Sequence, residues 1–508
     1  MPSEETFELS AAPVPLNTLA KVARTHMRLR LTSESALLIE RGAAYLAERA
    51  ASGDRIYGVN TGFGSLENHV VDVVELQRLQ YNLLLSHASA IGPPASEPIC
   101  RLTHLLKLMT VCRGITGISL PIVDRLVTMW NASVIPAFPT IGTVGASGDL
   151  APLAHFALPL LGLGQVYDEG ELRPASAALR QRSWPAIELT LKSGLALANG
   201  IQYIAAHGVS TVVRMRQVLQ LAEIISSIST QSFACSQTFY DTRLAMTSGH
   251  PERTVSLENL SRLLAGSNHH ELPTCRISKQ DPYSFRCIPQ VHGAVRQVIE
   301  FAARLLEQEC NTVSDNPLVL SQEETILYCG NMHGASVGMA MDCAAIAITD
   351  LSSLSQCRTF QLLLGRQGLP DYLSPTPGLH SGYMMPQVIA AALYAENVGH
   401  ATPASPITVM TCQFQEDHVS MAGGAGRKMD SILDNTLSIL AIELLLATQA
   451  AELQNGLLVS PLTRTIINDV RTVVPHLTID RPPGPDIEIL RSILAIRGSE
   501  WIERCGLL

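Results

Sequence analysis

The stretch Gly142–His155, which reads GTVGASGDLAPLAH, is the part of the sequence that most directly predicts fold and chemistry. Glycines at 142, 145 and 148 let the backbone bend sharply. The residues from Asp149 onward, with Pro152 close behind, are typical of a helix N-terminus. The serine between them does not fit a hydrolase nucleophile elbow, because that motif needs glycine at position 149. The stretch therefore predicts a bent segment leading into a helix.

The centre of this stretch, Ala146-Ser147-Gly148, can form an electrophile. If the amide nitrogen of Gly148 attacks the carbonyl carbon of Ala146, two waters leave, one from the ring and one from the Ser147 side chain. The product is 4-methylideneimidazole-5-one. Gly148 permits the tight turn, Ser147 supplies the hydroxyl group that is lost, and the small Ala146 leaves room for the ring.

A second Ala-Ser-Gly at residues 51–53 provides an internal comparison. Such a tripeptide occurs by chance in roughly one chain in a few of this length at ordinary residue usage. Here it follows an apparent helix end, AERAASGDR, where Gly53 is typical of a C-terminal residue. We therefore expect Ser52 to be structural and look to the surroundings of Ser147 for further signs.

The segment Gly145–His155 resembles the cofactor-forming segment of the aromatic amino acid ammonia-lyases and aminomutases, with histidine ammonia-lyases most similar. The resemblance extends from about residue 15 to about residue 460. It implies that Ala146, Ser147 and Gly148 form 4-methylideneimidazole-5-one (MIO) autocatalytically. It also implies a homotetramer in which each active site draws residues from three chains.

Composition argues against several classes of partner. The chain has 508 residues and a formal net charge of −9, which disfavours nucleic-acid and anionic-membrane surfaces. Its eleven cysteines form no C-x-x-C pair, and the N-terminus MPSEETFELS lacks secretory features, so a reduced, cytoplasmic protein is expected. Adjacent histidines in His269-His270-Glu271 point in different directions, so we expect no metal site.

Hydrophobic periodicity predicts a mainly α fold. The apolar run 437–450 carries Glu443 and is expected to be a core helix rather than a membrane span. The resemblance implies a long-helix bundle of the ammonia-lyase (fumarase/aspartase-like) type. We predict an N-terminal domain over 1–205 and a central bundle with C-terminal helices over 206–508. Long helices are predicted over 206–230, 291–308, 334–364, 386–400 and 429–456.

Two candidate residues lie before the bent segment. Tyr57 opens a glycine-rich loop, YGVNTGFGS, that lacks a phosphate-binding spacing and suits a mobile lid. His87 ends a predicted helix, where a histidine can simply complement the helix dipole. The resemblance implies that Tyr57 is the base that takes the β-proton, which requires a lowered pKa. It also implies that His87 contacts the substrate ring.

Further candidates follow the bent segment. Asn199 precedes a glycine in an apolar segment, where it could equally be a turn residue. In QDPYSFRC, Tyr283 and Arg286 would share a helical face, suited either to a surface contact or to clamping a carboxylate. The resemblance implies that Asn199 contacts cofactor and substrate, that Gln280 and Arg286 bind substrate, and that Tyr283 is catalytic.

The pair Gln415-Glu416 lies on a polar break between apolar helices and could merely cap the next helix. In the family, Gln-Glu here is typical of histidine-acting members, whereas Asn-Gln is typical of phenylalanine- and tyrosine-acting ones. Met332 stands where the family usually has phenylalanine, beside the expected pocket. The resemblance thus implies substrate-binding roles for Met332, Gln415 and Glu416.

Taken together, these residues predict a carbon–nitrogen lyase that eliminates ammonia from an aromatic L-amino acid. L-Histidine, giving trans-urocanate, is the favoured substrate, since a ring with two nitrogens pairs with His87 and Glu416. A tyrosine or phenylalanine ammonia-lyase and a 2,3-aminomutase remain alternatives. A non-catalytic relative that keeps the helical scaffold is an alternative of another class. The sequence leaves open whether the electrophile captures the amine or the ring.

Overall fold

The computed structural model describes residues 5–273 and 280–508 and divides into two compact units. The first unit comprises Met1–Thr211, Ala302–Asp342 and Pro403–Arg427. The second comprises Val212–Phe301, Cys343–Thr402 and Lys428–Leu508. Because both units are discontinuous in sequence, the predicted division at residue 205 stays a prediction.

The described residues are mainly helical, as predicted. The α-helices are α1 (Leu16–Thr25), α2 (Ser33–Ala51), α3 (Leu76–His87), α4 (Glu97–Val111), α5 (Leu120–Asn131), α6 (Ala151–Ala157), α7 (Ala175–Gln181), α8 (Ser193–Ala198), α9 (Gln202–Ser232), α10 (Pro251–Leu264), α11 (Tyr283–Arg286), α12 (Ile288–Cys310), α13 (Ala335–Leu362), α14 (Met384–His400), α15 (Ala422–Leu453), α16 (Pro461–Arg471) and α17 (Gly484–Cys505). The strands are β1 (Thr6–Leu9), β2 (Arg28–Leu31), β3 (Ile91–Pro94), β4 (Val134–Ala137), β5 (Pro139–Ile141), β6 (Gln165–Asp168), β7 (Glu171–Pro174), β8 (Leu318–Leu320) and β9 (Thr325–Leu327).

The strands of the first unit form small sheets that fix the start of the bent segment. Strands β4, β6 and β7 pair in an antiparallel sheet, with Val134 opposite Asp168. Strand β5 pairs antiparallel with β3 and ends at Ile141, directly before Gly142. Strands β1 and β2 pair in parallel, and β8 and β9 pair antiparallel. The bent segment therefore leaves a hydrogen-bonded strand and enters α6.

Helix α4 is deeply buried in the first unit over most of its length. Every residue from Cys100 to Val111 is buried. This run includes Lys107, whose side chain is fully buried. A helix that is buried all round cannot be amphipathic, and its single lysine must find its hydrogen-bond partners inside the unit.

The long helices agree with the periodicity, with one instructive difference. Helix α15 begins at Ala422, seven residues before the predicted start. The glycines at 423, 424 and 426 suggest a break because glycine weakens helices. A Cβ at Gly423 would lie 2.6 Å from Cγ2 of Thr143, and one at Gly426 would lie 3.2 Å from Nδ1 of His207. Close packing thus explains glycine at these two positions.

Among the described helices, α13 and α15 are long and apolar enough to cross a membrane by length and composition. However, 67% and 72% of their most apolar windows are buried inside the structure, as in core helices. Glu443 of α15 is fully buried and pairs with Arg358 of α13 at 2.5 Å (Oε1 to Nε). Ser229 of α9 and Ser355 of α13 also donate hydrogen bonds to its carboxyl oxygens. The prediction of a core helix here is confirmed.

Candidate active site

The bent segment between β5 and α6 uses left-handed backbone at three positions. Gly145 has φ +69°, Gly148 has φ +76° and Leu150 has φ +44°. Helix α6 then begins at Ala151, with Pro152 in its first turn, as the sequence predicts. Glycine adopts the left-handed region without a Cβ clash, so the chain can turn tightly through Ala146-Ser147-Gly148.

Asn199 and Gly200 form the support beneath this turn. Gly148 forms a parallel bridge with Gly200, and the amide of Asp149 donates to the Gly200 carbonyl at 2.7 Å. Nδ2 of Asn199 donates to the carbonyl oxygen of Ser147 at 3.2 Å. Oδ1 of Asn199 is buried without a hydrogen-bond partner among the described residues. The resemblance assigns Asn199 to the cofactor carbonyl, and in the structure its side chain contacts the carbonyl of Ser147.

Gly148→Ala is expected to destabilise the fold by at least about 2 kcal/mol. A Cβ at Gly148 would lie 2.2 Å from the carbonyl oxygen of Gly200, and alanine is strained at this φ. Gly162→Ala is the matched control, because Gly162 has φ +75° but a Cβ there would meet nothing within 4 Å. Thermal unfolding should show a larger loss for Gly148→Ala, and equal losses would contradict the close approach.

Lys107 and Asp149 are buried polar residues that hold this support in place. Nζ of Lys107 donates to the carbonyls of Asn199 at 2.7 Å and Ala196 at 3.0 Å. The Asp149 carboxyl accepts from the backbone amides of Tyr203 at 2.6 Å and Ile204 at 3.3 Å, at the start of α9. Burial lowers the pKa of Lys107 to about 7 and raises the pKa of Asp149 to about 7. Sequence reasoning missed Lys107, whose one signal was a lone lysine in an apolar helix.

Ser147 opens into a cavity of about 850 Å³ within the first unit. Its lining combines residues far apart in sequence, which the fold brings together. Six of the predicted site residues line it: Tyr57, Ala146, Ser147, Met332, Gln415 and Glu416. Sequence reasoning did not identify several other lining residues, among them Arg55, Asn316, Tyr328, Cys329, His333, Cys412 and His418.

The side chains of Ser147 and Glu416 are in direct contact. Oγ of Ser147 donates to Oε1 of Glu416 at 2.5 Å, although 269 residues separate them in sequence. The second carboxyl oxygen, Oε2, accepts a hydrogen bond from Oγ1 of Thr411 at 2.5 Å. An acidic group thus lies against the hydroxyl group that would leave when the alkene forms.

Tyr57 lies in the glycine-rich loop, as predicted, and faces the cavity. Its hydroxyl oxygen accepts a hydrogen bond from the amide of Gly64 at 2.8 Å. Burial raises the pKa of Tyr57, and the Gly64 hydrogen bond only partly opposes this. The lowered pKa expected for a base is therefore not found in the single chain.

His87 is the last residue of α3, as predicted, and it is half-buried. Nδ1 of His87 lies 3.0 Å from Oγ of Ser86. Burial lowers the pKa of His87, while the charge of Glu416 opposes this shift. The ring is therefore neutral at neutral pH, with one nitrogen that can donate a hydrogen bond and one that can accept a hydrogen bond.

Gln280, Tyr283 and Arg286 belong to the second unit, and none of them lines this cavity. Helix α11 begins at Tyr283, which meets the condition under which Tyr283 and Arg286 would share a helical face. The Arg286 guanidinium lies over the Tyr283 ring, 4.5 Å from its centroid, and Arg286 Nη1 donates to Oε1 of Gln280 at 2.7 Å. Tyr283 is 69% exposed. The three residues thus form one accessible cluster.

A metal centre has no support in the described part of the chain, where no group of three or more histidine, cysteine or acidic side chains could hold an ion. His269 and His270 face each other edge to face, with ring centroids 5.3 Å apart. Nδ1 of His269 lies 2.9 Å from Oγ of Ser267, and Nε2 lies 3.2 Å from the Tyr240 hydroxyl.

Comparison with known proteins identifies the family. The model of the aromatic amino acid lyases matches residues 14–472. The chain belongs to the aromatic amino acid lyase family. This aromatic amino acid lyase is 40% identical over 478 residues to histidine ammonia-lyase of Aromatoleum aromaticum, covering 94% of this chain and 91% of that one. It is 38% identical to histidine ammonia-lyase of Burkholderia cenocepacia, and the match covers 96% of this chain and 97% of that one. It is a carbon–nitrogen lyase.

Solved structures share the fold of this aromatic amino acid lyase. The crystal structure of histidine ammonia-lyase from Trypanosoma cruzi aligns with TM-score 0.89 at 31% identity, covering 98% of this chain and 95% of that one. The tyrosine aminomutase of Streptomyces globisporus aligns with TM-score 0.92 at 31% identity, and the alignment covers 99% of this chain and 98% of that one. The mainly helical ammonia-lyase fold predicted from the sequence is confirmed.

Proposed function

We propose that this lyase eliminates ammonia from L-histidine to give trans-urocanate. The contact between Glu416 and Ser147 carries the proposal, because it places a hydrogen-bond acceptor beside the reactive position. The N–H of an imidazole ring can donate to Glu416, whereas a phenyl ring would leave that acceptor unpaired in the cavity. The similarity to two histidine ammonia-lyases supports the same substrate.

The residues around Ser147 fit formation of MIO. The left-handed Gly148 lies where no Cβ fits against Gly200, so the turn is held tight. Asn199 holds the Ser147 carbonyl and keeps Oδ1 available for a further hydrogen bond. When formed, this group supplies an electrophile at position 147 stronger than any ordinary side chain.

Residues of the cavity, together with His87 at the end of α3, are proposed to bind the substrate and move its proton. Glu416 and neutral His87 hold the two ring nitrogens, and Met332 and Gln415 complete the ring's surroundings. Tyr57, as phenolate, accepts the proton from the β-carbon, the electrons of that C–H bond form the double bond, and the Cα–N bond breaks with its electrons going to nitrogen. The proton then passes from Tyr57 to the departing ammonia, which regenerates the phenolate. The net products are urocanate and ammonium.

The pH dependence should reflect the raised pKa of Tyr57. A tyrosine acts as a base only as phenolate, and the phenolate fraction rises about tenfold per pH unit below the pKa. We expect kcat/KM to rise with pH from about 7 to about 9, approaching that slope. Steady-state kinetics across this range should show the rise in the wild type and lose it in Tyr57→Phe. A flat wild-type profile would contradict Tyr57 as the base.

Two further copies of the chain are proposed to complete each site. Gln280, Tyr283 and Arg286 are accessible, and a guanidinium is suited to hold a substrate carboxylate. Helix α14 also exposes a row of apolar side chains, which is typical of a subunit interface: Met384, Met385, Val388, Ile389 and Val398. A homotetramer with shared active sites accounts for both features. A cytoplasmic location is proposed because ten described cysteines are free thiols.

Ultraviolet absorbance with L-histidine, L-tyrosine and L-phenylalanine, each tested separately, examines the proposal. We expect urocanate to accumulate from histidine, with little product from the other two amino acids. Accumulation of coumarate or cinnamate instead would favour the alternative lyases. If a β-amino acid accumulates, the aminomutase alternative is correct, which the similarity to tyrosine aminomutase makes worth testing.

A further inference from the structure

The segment from Thr411 to Glu416 closes on itself in an unusual turn. Its ends form an antiparallel bridge, in which the amide of Thr411 donates to the carbonyl of Glu416 at 3.0 Å. Between them, Cys412, Gln413 and Phe414 have φ of +51°, +51° and +69°. Three successive left-handed residues without a glycine are strained, and such strain persists only where contacts over-determine it. The turn therefore depends on the contacts at its two ends.

The side chains at these ends are joined as well as the backbone. Among the described residues, the Glu416 carboxyl receives one hydrogen bond from Oγ1 of Thr411 and one from Oγ of Ser147. Thr411 and Glu416 are both half-buried. A hydrogen bond to one carboxyl oxygen restricts rotation of the group, and a second hydrogen bond to the other oxygen fixes its plane.

Formation of the cofactor removes one of the two hydrogen bonds to the Glu416 carboxyl. The hydroxyl of Ser147 leaves as water, so its hydrogen bond to Oε1 of Glu416 is lost. Thr411 takes no part in cofactor formation, so it keeps its hydrogen bond to Oε2 of Glu416. From this geometry we infer that Thr411 is a positioning residue, which keeps the plane of the Glu416 carboxyl so that Oε1 faces the substrate's imidazole ring. The inference rests on the proposed function.

The test compares Thr411→Val, which keeps the shape but removes the donor, with Thr411→Ser, which keeps the donor. Intact mass first establishes that each variant has lost two waters. We expect Thr411→Val to raise KM for L-histidine about tenfold while kcat changes less than about threefold. Thr411→Ser should restore KM to within about twofold of the wild type. Thr408→Val is the control, because the Thr408 hydroxyl contacts the Val419 amide in the same loop rather than Glu416.

A double-mutant cycle separates positioning from a merely structural role. In a Glu416→Gln background, Thr411→Val should change KM by less than about twofold, because the carboxylate that Thr411 positions is no longer present. An equal tenfold effect in both backgrounds would overturn the inference, and so would a wild-type KM in Thr411→Val. In either case a wild type that still forms urocanate leaves the proposed function intact. A wild type that forms none from histidine overturns both.

Discussion

Replacing Ser147 by alanine is expected to lower turnover of L-histidine by about a thousandfold or more, roughly 4 kcal/mol of transition-state stabilisation. Alanine has no hydroxyl to lose, so the exocyclic alkene cannot form and the chain keeps its full mass. The fold should remain, since the Ser147 hydroxyl makes its hydrogen bond to Glu416 at the cavity rather than in the core. Absorbance of urocanate and thermal unfolding measure the two effects.

Ser52→Ala is the matched control for Ser147→Ala, because Ser52 stands in the same tripeptide. Ser52 follows α2 as its C-terminal cap, and its hydroxyl donates to the carbonyl of Arg49 at 2.8 Å. Gly53 has φ +90°, the left-handed conformation expected after a helix end. The structural role predicted for Ser52 is confirmed, so Ser52→Ala should keep activity within about twofold of the wild type. Equal losses in both variants would contradict the assignment to Ser147.

Glu416→Gln is expected to lower turnover of L-histidine by more than about a hundredfold, roughly 3 kcal/mol. Glutamine keeps the size of the side chain but loses the negative charge and replaces one acceptor with an amide donor. Steady-state kinetics with histidine measures the loss, after intact mass has shown that the cofactor still forms.

Asp417→Asn is the control for this substitution, because it removes the same charge at the next residue. Asp417 is exposed and lies outside the described lining of the cavity. We expect its activity to remain within about threefold of the wild type. A loss below about threefold in Glu416→Gln would contradict an imidazole contact at Glu416.

Local sequence patterns predicted the helices well because side-chain burial on a helix recurs every 3.6 residues. The predicted helix over 291–308 is α12, Ile288–Cys310, and that over 386–400 is α14, Met384–His400. The early start of α15 was not predictable, because the neighbours that require glycine at 423 and 426 come from distant parts of the chain.

The site was predictable where a residue stands in a distinctive local motif. Ser147, Tyr57 and Glu416 each do so, and all three line one cavity. Lys107 and Thr411 carry no such signal, because their importance lies in which carbonyl or carboxyl they reach in space. The raised pKa of Tyr57 could not be predicted from the sequence either, because its main cause is burial in the folded chain.

The mass of the proteolytic peptide that contains residues 146–148 tests the central claim most directly. We predict that this peptide from the wild type is lighter than its sequence by two water molecules, and that the peptide containing Ala51-Ser52-Gly53 has its unmodified mass. The Ser147→Ala peptide should also have its unmodified mass. An unmodified wild-type peptide at 146–148 would contradict the account, whatever activity the protein shows.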